Sequence, residues 1–313
     1  MRQPARRPAL LPLLACACLS LAGVARAEDP PRRVFVTVMD EAGVPIRGLG
    51  AADFAVREGG RDRQGVKGAP ADERMDVALL LDTSNALDAG LPALKAAATA
   101  FIDTLPPEHR IGLYTFGDRA SRIVDFTENR RELYEAVQRL YRTETLPRLI
   151  DAVELATREL RARDAARPVV VALTGTGADV SGRSAGSVIR LVADAGVALH
   201  LVAARATTAY GSARAPSAIP DRSRALSQLG SAGEGDRELT QLVQQGPEVT
   251  GGSLERVASF EGAAGAVARV ISRLVTSYDL EYAGGGGNRP RNLQLGVMYE
   301  GVVVRATVAP RRR

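Results

Sequence analysis

Val77-Ala78-Leu79-Leu80-Leu81-Asp82-Thr83-Ser84 is the stretch from which the fold is read. A strand with one face in water alternates apolar and polar residues, whereas an unbroken apolar run needs cover on both faces, which a parallel sheet between helices provides. The run stops at a carboxylate and two hydroxyls, so a polar loop is expected at the carboxyl end of this strand. Outward from it the same grammar recurs. Pro168 to Thr174 is a second fully apolar strand and ends in Gly175-Thr176-Gly177. Ile111 to Phe116, Arg122 to Phe126 and Val197 to Val202 read as further strands. Helices are expected over Gly90 to Leu105, Arg130 to Tyr141, Leu149 to Arg163 and Ser187 to Ala195. Pro106-Pro107 stops the first of them, because proline lacks the amide proton a helix requires. Strands alternating with helices of ten to sixteen residues predict an α/β fold, a mostly parallel doubly wound (Rossmann-like) sheet with helices on both faces.

The flanks read differently. Val34 to Val38 and Phe54 to Glu58 are β-rich, with Gly59-Gly60 as a turn after the second, and Pro70 to Arg74 is a polar linker. Between Arg205 and Gly235 the chain is mainly Ala, Ser, Gly and Arg, which predicts an irregular insertion with one helical turn near Ala225 to Leu229. Leu239 to Gln245 and Glu261 to Ser277 follow as helices, then Tyr278 to Tyr282 as a strand. After Gly284 to Gly287, Leu293 to Val297 and Val302 to Val308 are expected to close the chain as a hairpin. The division that follows is 1–27, 28–74, 75–283 with the insertion at 205–235, and 284–313, the last packing against 28–74 as a small β module.

Residues 1–27 read as an export signal. Arg2, Arg6 and Arg7 precede the apolar run Ala9 to Val24, and Ala25-Arg26-Ala27 supplies small residues for cleavage before Glu28. Leu13-Leu14-Ala15-Cys16 is the rival reading, a lipidation signal at Cys16, and an uncleaved anchor is the third. The protein is therefore expected to be exported, periplasmic or secreted, with membrane association only if Cys16 is lipidated or the signal stays attached. Both cysteines, Cys16 and Cys18, lie in this segment, so disulfides and thiolate chemistry leave with it. Four basic residues and no acidic ones lie there too. Without them the formal charge of +5 shrinks to near neutrality, and no basic stripe interleaved with aromatics points to nucleic acid.

Asp82-Thr83-Ser84 after an apolar strand, Leu149-Ile150-Asp151-Ala152, and Leu173-Thr174 closing another apolar strand resemble a von Willebrand factor type A domain. Val34 to Val38, Asp53 to Gly60 and Ser277 to Tyr282 extend the resemblance to the exported bacterial branch of VWFA-related proteins. The resemblance implies a metal-ion-dependent adhesion site at the carboxyl edge of the sheet, built from Asp-x-Ser-x-Ser, a Thr and an Asp. Mg²⁺ prefers six oxygens near 2.0–2.1 Å, and this chain departs from that pattern. Asp82 and Ser84 match two ligands, Ala86 stands at the third, Pro147 stands where the Thr belongs, and Thr174-Gly175-Thr176 replaces Thr-Asp-Gly. The site is therefore expected to be vestigial at Asp82 and Ser84 with no cofactor. The alternative is a rebuilt, weak Mg²⁺ site helped by Thr145 and Asp179. A plainer reading of Asp82 and Ser84 is capping of the next helix.

Enzyme readings find little support. An Asp-nucleophile phosphohydrolase at Asp82 wants a second carboxylate two residues on, where Ser84 stands, and a nearby Lys, of which there are Lys67 and Lys95 only. There is no Gly-x-Ser-x-Gly elbow, and His109 and His200 are the only imidazoles. The function expected is non-enzymatic recognition of another protein through the loops at Asp82 to Asp88, Thr143 to Arg148 and Thr174 to Ser184, with the Ala206 to Gly235 insertion beside them. Asp82, Thr83, Ser84, Asn85, Thr176 and Asp179 are its expected contacts.

Overall fold

The structure, a computed structural model, describes residues 31–87, 90–175, 178–204, 222–284, 290 and 292–310. The export-signal reading of 1–27, Cys16 included, lies outside these residues, as do Asp88 and Thr176. Along the chain run β1 (Pro31–Asp40), β2 (Phe54–Glu58), β3 (Arg61–Arg63), β4 (Lys67–Pro70) and β5 (Met75–Leu81). Then come α1 (Leu91–Thr104), β6 (Arg110–Thr115), β7 (Ser121–Thr127), α2 (Arg130–Gln138), α3 (Leu149–Ala162), β8 (Arg167–Gly175), α4 (Ala185–Asp194) and β9 (Ala198–Ala204). The chain continues through α5 (Arg222–Thr250), β10 (Leu254–Val257), α6 (Ala263–Val275), β11 (Tyr278–Ala283), β12 (Gln294–Val297) and β13 (Val302–Val308).

The central sheet has six strands in the order β10-β9-β8-β5-β6-β7, parallel except for β7. All seven residues of β5 are buried, and they divide by parity as strand geometry demands. Met75, Val77, Leu79 and Leu81 face α1, α2 and α6, where Phe101, Ile102, Leu133, Val270 and Ile271 lie. Ala78 and Leu80 face α3, α4 and α5, against Ile150, Val153, Val188, Val192 and Leu242. This is the doubly wound α/β architecture with helices on both faces. Among the described residues, no helix is long and apolar enough to cross a membrane.

Two antiparallel sheets, β13-β1-β11-β4 and β12-β2-β3, stand beside it. Val34, Val36 and Val38 of β1 enclose a separate core with Phe54, Val56, Tyr278 and Leu280. The last two strands do not form the expected hairpin ladder: β12 pairs with β2 and β13 with β1, so they belong to different sheets. The small module is thus a β sandwich made from both ends of the described chain. Arg167 ties it to the central sheet. Its guanidinium lies over the Phe35 ring and donates to the Leu274 carbonyl and Ser277 Oγ.

The insertion reading is corrected between Arg222 and Gly235, where α5 is already helical. Glycine lowers helix propensity by about 1 kcal/mol, which made this composition look irregular. Here it serves close packing instead. A Cβ on Gly235 would lie 2.1 Å from the Asp179 carbonyl oxygen, and one on Gly246 would lie 2.9 Å from Leu199 Cδ2.

His200, buried in β9, has its pKa pushed down to about 3, chiefly by burial and then by Arg273 and Arg167. The folded chain therefore leaves this ring neutral while the unfolded chain, with an ordinary value near 6.5, takes up a proton. Stability is expected to fall as pH drops below about 6.5, at a slope approaching about 1.4 kcal/mol per unit until pH nears the folded value. Urea unfolding at about pH 7 and pH 5 should show this loss, and His200→Gln should flatten the slope by about one proton.

Candidate functional site

At the carboxyl edge of the sheet, three loops meet: Asp82 to Leu87, Thr143 to Arg148, and Gly175 to Ser184. Asp82 is wholly buried and is the knot between the first and third. Its Oδ1 accepts from the Ser84 amide at 2.9 Å and Ser84 Oγ at 2.6 Å. Its Oδ2 accepts from the Gly175 amide at 2.9 Å and Thr174 Oγ1 at 3.4 Å. Burial raises the Asp82 pKa, and the bonds from Ser84, Gly175 and Thr174 oppose that rise. Ser84 Oγ in turn accepts from the Ala86 amide at 3.2 Å. The Ala86 methyl stands against Gly175, where an added Cβ would meet it at 3.2 Å.

The second loop is laced to the first. The Thr83 carbonyl accepts from the Thr143 amide at 2.7 Å and Thr143 Oγ1 at 3.0 Å, and the Asn85 amide donates to the Thr145 carbonyl at 2.9 Å. Thr145 Oγ1 lies 2.9 Å from Thr143 Oγ1 and is exposed.

Asp179 points elsewhere than Asp82. Its Oδ2 accepts from the Leu149 amide at 2.7 Å, its Oδ1 from the Ser181 amide at 2.8 Å. Burial raises its pKa and these bonds lower it. Arg148, the residue before α3, gives that helix no side-chain cap, so a carboxylate from another loop satisfies its free amide. Asp151 reaches back to the Gly182 amide at 3.1 Å, while Ser181 Oγ accepts from the Asp151 amide at 3.0 Å. Glu238 of α5 does the same service at α4, accepting from the Ala185 amide. Helix starts favour anions, and here the chain's own carboxylates occupy two of them.

These positions change how the candidate residues work. Asp82 and Ser84 have no exposed surface, Thr83 has 4% and Asp179 5%, so these four lie beneath the rim rather than on its outer surface. They brace the loops, and only Asn85 of the described five keeps partial exposure. The donor set also fits a divalent cation poorly. Each Asp82 oxygen already accepts two bonds, Ala86 contributes a methyl, and the Asp179 carboxylate is spent on α3. Among the described residues, no three His, Cys, Asp or Glu side chains cluster as a metal site. The two lysines lie apart from Asp82: Lys95 donates to the Gln138 carbonyl and Lys67 pairs with Glu281. His109 Nδ1 accepts from the Met75 amide, a structural contact at the opposite end of β5. Sequence reasoning missed Glu238 and Gly117. No local pattern marks the first, and the second was an unremarked glycine after β6.

A family model for the von Willebrand factor type A domain matches residues 77–178. No curated protein matches the sequence. Among solved structures, the chain is similar to an aerotolerance-related membrane protein from Bacteroides fragilis, at 17% identity and TM-score 0.45, covering 64% of this chain and 99% of that one. It is also similar to a von Willebrand factor type A protein from Catenulispora acidiphila, at 12% identity and TM-score 0.47, covering 91% and 74%. The segment matched by the family model, residues 77–178, holds the heart of the six-stranded sheet and the loop knot at Asp82, and it is this segment that is similar to a von Willebrand factor type A domain.

Proposed function

We propose that this chain is an exported, non-enzymatic protein-recognition module that binds its partner through the rim of the von Willebrand A sheet without a bridging metal. The observation carrying this reading is the saturation of Asp82, whose two oxygens accept four bonds inside the protein. A cation would have to displace those bonds and then find its other donors in water, which makes a tight site uneconomical against six-oxygen demand. The residues around the knot that reach solvent carry the recognition: the partly exposed Asn85 and the exposed Arg142, Glu144, Thr145, Arg183 and Ser184. Sealed from solvent, Asp82 is also closed to a phosphate ester, which argues against the phosphohydrolase reading. The division into segments 28–74, 75–283 and 284–313 belongs to the same proposal, with the β sandwich as a mount for the rim.

Calorimetric titration of the purified chain with Mg²⁺ and Mn²⁺ tests it. No saturable heat is expected up to about 1 mM, a range in which hard-oxygen sites of ordinary affinity fill. Partner capture should be equal with and without EDTA. Saturable Mg²⁺ heat lost in Asp82→Ala would establish instead the rebuilt adhesion site with Thr145.

A further inference from the structure

Beside the rim, a cleft of about 590 Å³ opens between the β6–β7 loop and the end of α2. Thr83, Gly117 and Thr143 form its floor. Only glycine allows that floor to close, because a Cβ at Gly117 would lie 2.4 Å from Thr143 Oγ1 and 2.7 Å from Thr83 Oγ1. Ile123 and Tyr141 line it and are 41% and 75% exposed, joined by Ala136 and Leu140. Two cations stand beside these apolar side chains. Arg119 is exposed and has no carboxylate within ion-pair distance among the described residues. Arg139 is 80% exposed and, among the described residues, its ion pair is a 3.6 Å contact to Glu135, the kind of surface pair that contributes little. Asp118 is the single acidic residue of the lining.

We propose that this cleft is the anchoring pocket of the rim, and that it takes an acidic polypeptide segment carrying one large apolar side chain. This rests on the protein-recognition reading and names the chemistry of the partner. The volume falls in the range of ordinary ligand pockets. An aromatic anchor would pack on Ile123 and Tyr141, a residue type prominent in binding hot spots. Carboxylates on either side of it would meet Arg119 and Arg139, whose planar guanidinium groups grip a carboxylate with two parallel bonds.

A fluorescein-labelled peptide, Gly-Ser-Glu-Asp-Phe-Glu-Asp-Ser-Gly, tests the proposal by anisotropy with the full chain. Saturable binding is expected, weakened at least about tenfold when Phe becomes Ala, which is about 1.4 kcal/mol. Tyr141→Ser should weaken it about fivefold, and the double variant Arg119→Glu, Arg139→Glu at least about tenfold. The double variant should also gain binding to the same peptide with Lys in place of every acid, a gain that a misfolded protein cannot show. Absence of saturation up to about 1 mM, equal binding of the Lys peptide by the unaltered chain, or indifference to Tyr141→Ser overturns the cleft proposal. A second measurement separates it from the broader reading. If partner capture survives Tyr141→Ser but is lost in Asn85→Arg, the cleft proposal fails and rim recognition stands; if both variants capture fully, both fail.

Discussion

Asp82→Ala is expected to lower the unfolding free energy by about 3–5 kcal/mol, with the same loss in Mg²⁺ and in EDTA. The carboxylate is a hub whose removal leaves the Ser84 and Gly175 amides and the Ser84 hydroxyl facing a void at the carboxyl end of β5, while the Thr174 hydroxyl keeps the Gly175 carbonyl at 2.9 Å. Each buried donor left without an acceptor costs about 1–3 kcal/mol, and little water can enter, since Ser84 and Thr174 are wholly buried. Asp82→Asn retains one acceptor oxygen and presents an amide group to donors on the other side, so roughly half the loss is expected. The pH response distinguishes this from loss of a surface ion pair. Because burial raises the Asp82 pKa in the folded state, its ionised form weighs against folding at neutral pH. That penalty disappears as pH falls through the folded value, so mild acid does not weaken the protein through Asp82. Urea unfolding at two pH values reads both effects. A loss below about 1 kcal/mol in Asp82→Ala would show that the loops hold without the hub.

Gly252→Ala is the second large effect. An added Cβ would sit 1.9 Å from the Leu199 carbonyl oxygen and 2.5 Å from its carbon, both backbone atoms of β9 that cannot swing aside. The chain turns here from α5 into β10, with the Gly252 amide donating to the Pro247 carbonyl and Leu201 donating to the Ser253 carbonyl. Relief would require moving the end of α5 away from the sheet and opening the packing of Leu242 on Leu199 and Leu201. Overpacking of this kind costs about 3 kcal/mol, which lowers the melting midpoint by about 6–12 °C in a chain of this size. Gly262→Ala, where an added Cβ meets nothing within 4 Å, is the matched control and should melt within about 2 °C of the unaltered chain.

What the sequence disclosed follows from how much each feature depends on local pattern. β5 and β8 are legible because burial on both faces makes their middles, Val77 to Leu81 and Val169 to Leu173, wholly apolar, and the end of α1 at Thr104 is legible because two prolines follow Leu105. The antiparallel sense of β7 was not legible, since strand patterning carries no direction. Neither was the parting of β12 and β13 into two sheets, which is decided by the partners β2 and β1 far away in the chain. The four-residue β10 was too short to show a period. At the rim, Asp82 and Ser84 stood out by their place after a buried strand, but their burial did not. Exposure there depends on the loops from Thr143 and Gly175 folding across them. Asp179 reads as a helper to Asp82 because it follows Gly175 by four residues, near enough to reach back if its loop folds over. Its actual partner, the start of α3, is thirty residues back in sequence and invisible to spacing.

The pairing of β1 bears on how the polypeptide acquires its shape. Val34 sits between Leu280 and Val308, so its neighbours lie more than 240 positions downstream. A ribosome releases β1 first and those neighbours last, and strand contacts of such separation form slowly. Until then β1 lacks both of its ladder partners and its valines have only Leu49, Phe54 and Val56 of their native core, leaving a sticky β-branched ribbon of the kind that chaperones shield. A truncation at residue 300 would make that transient condition permanent, by deleting β13 from one edge of β1.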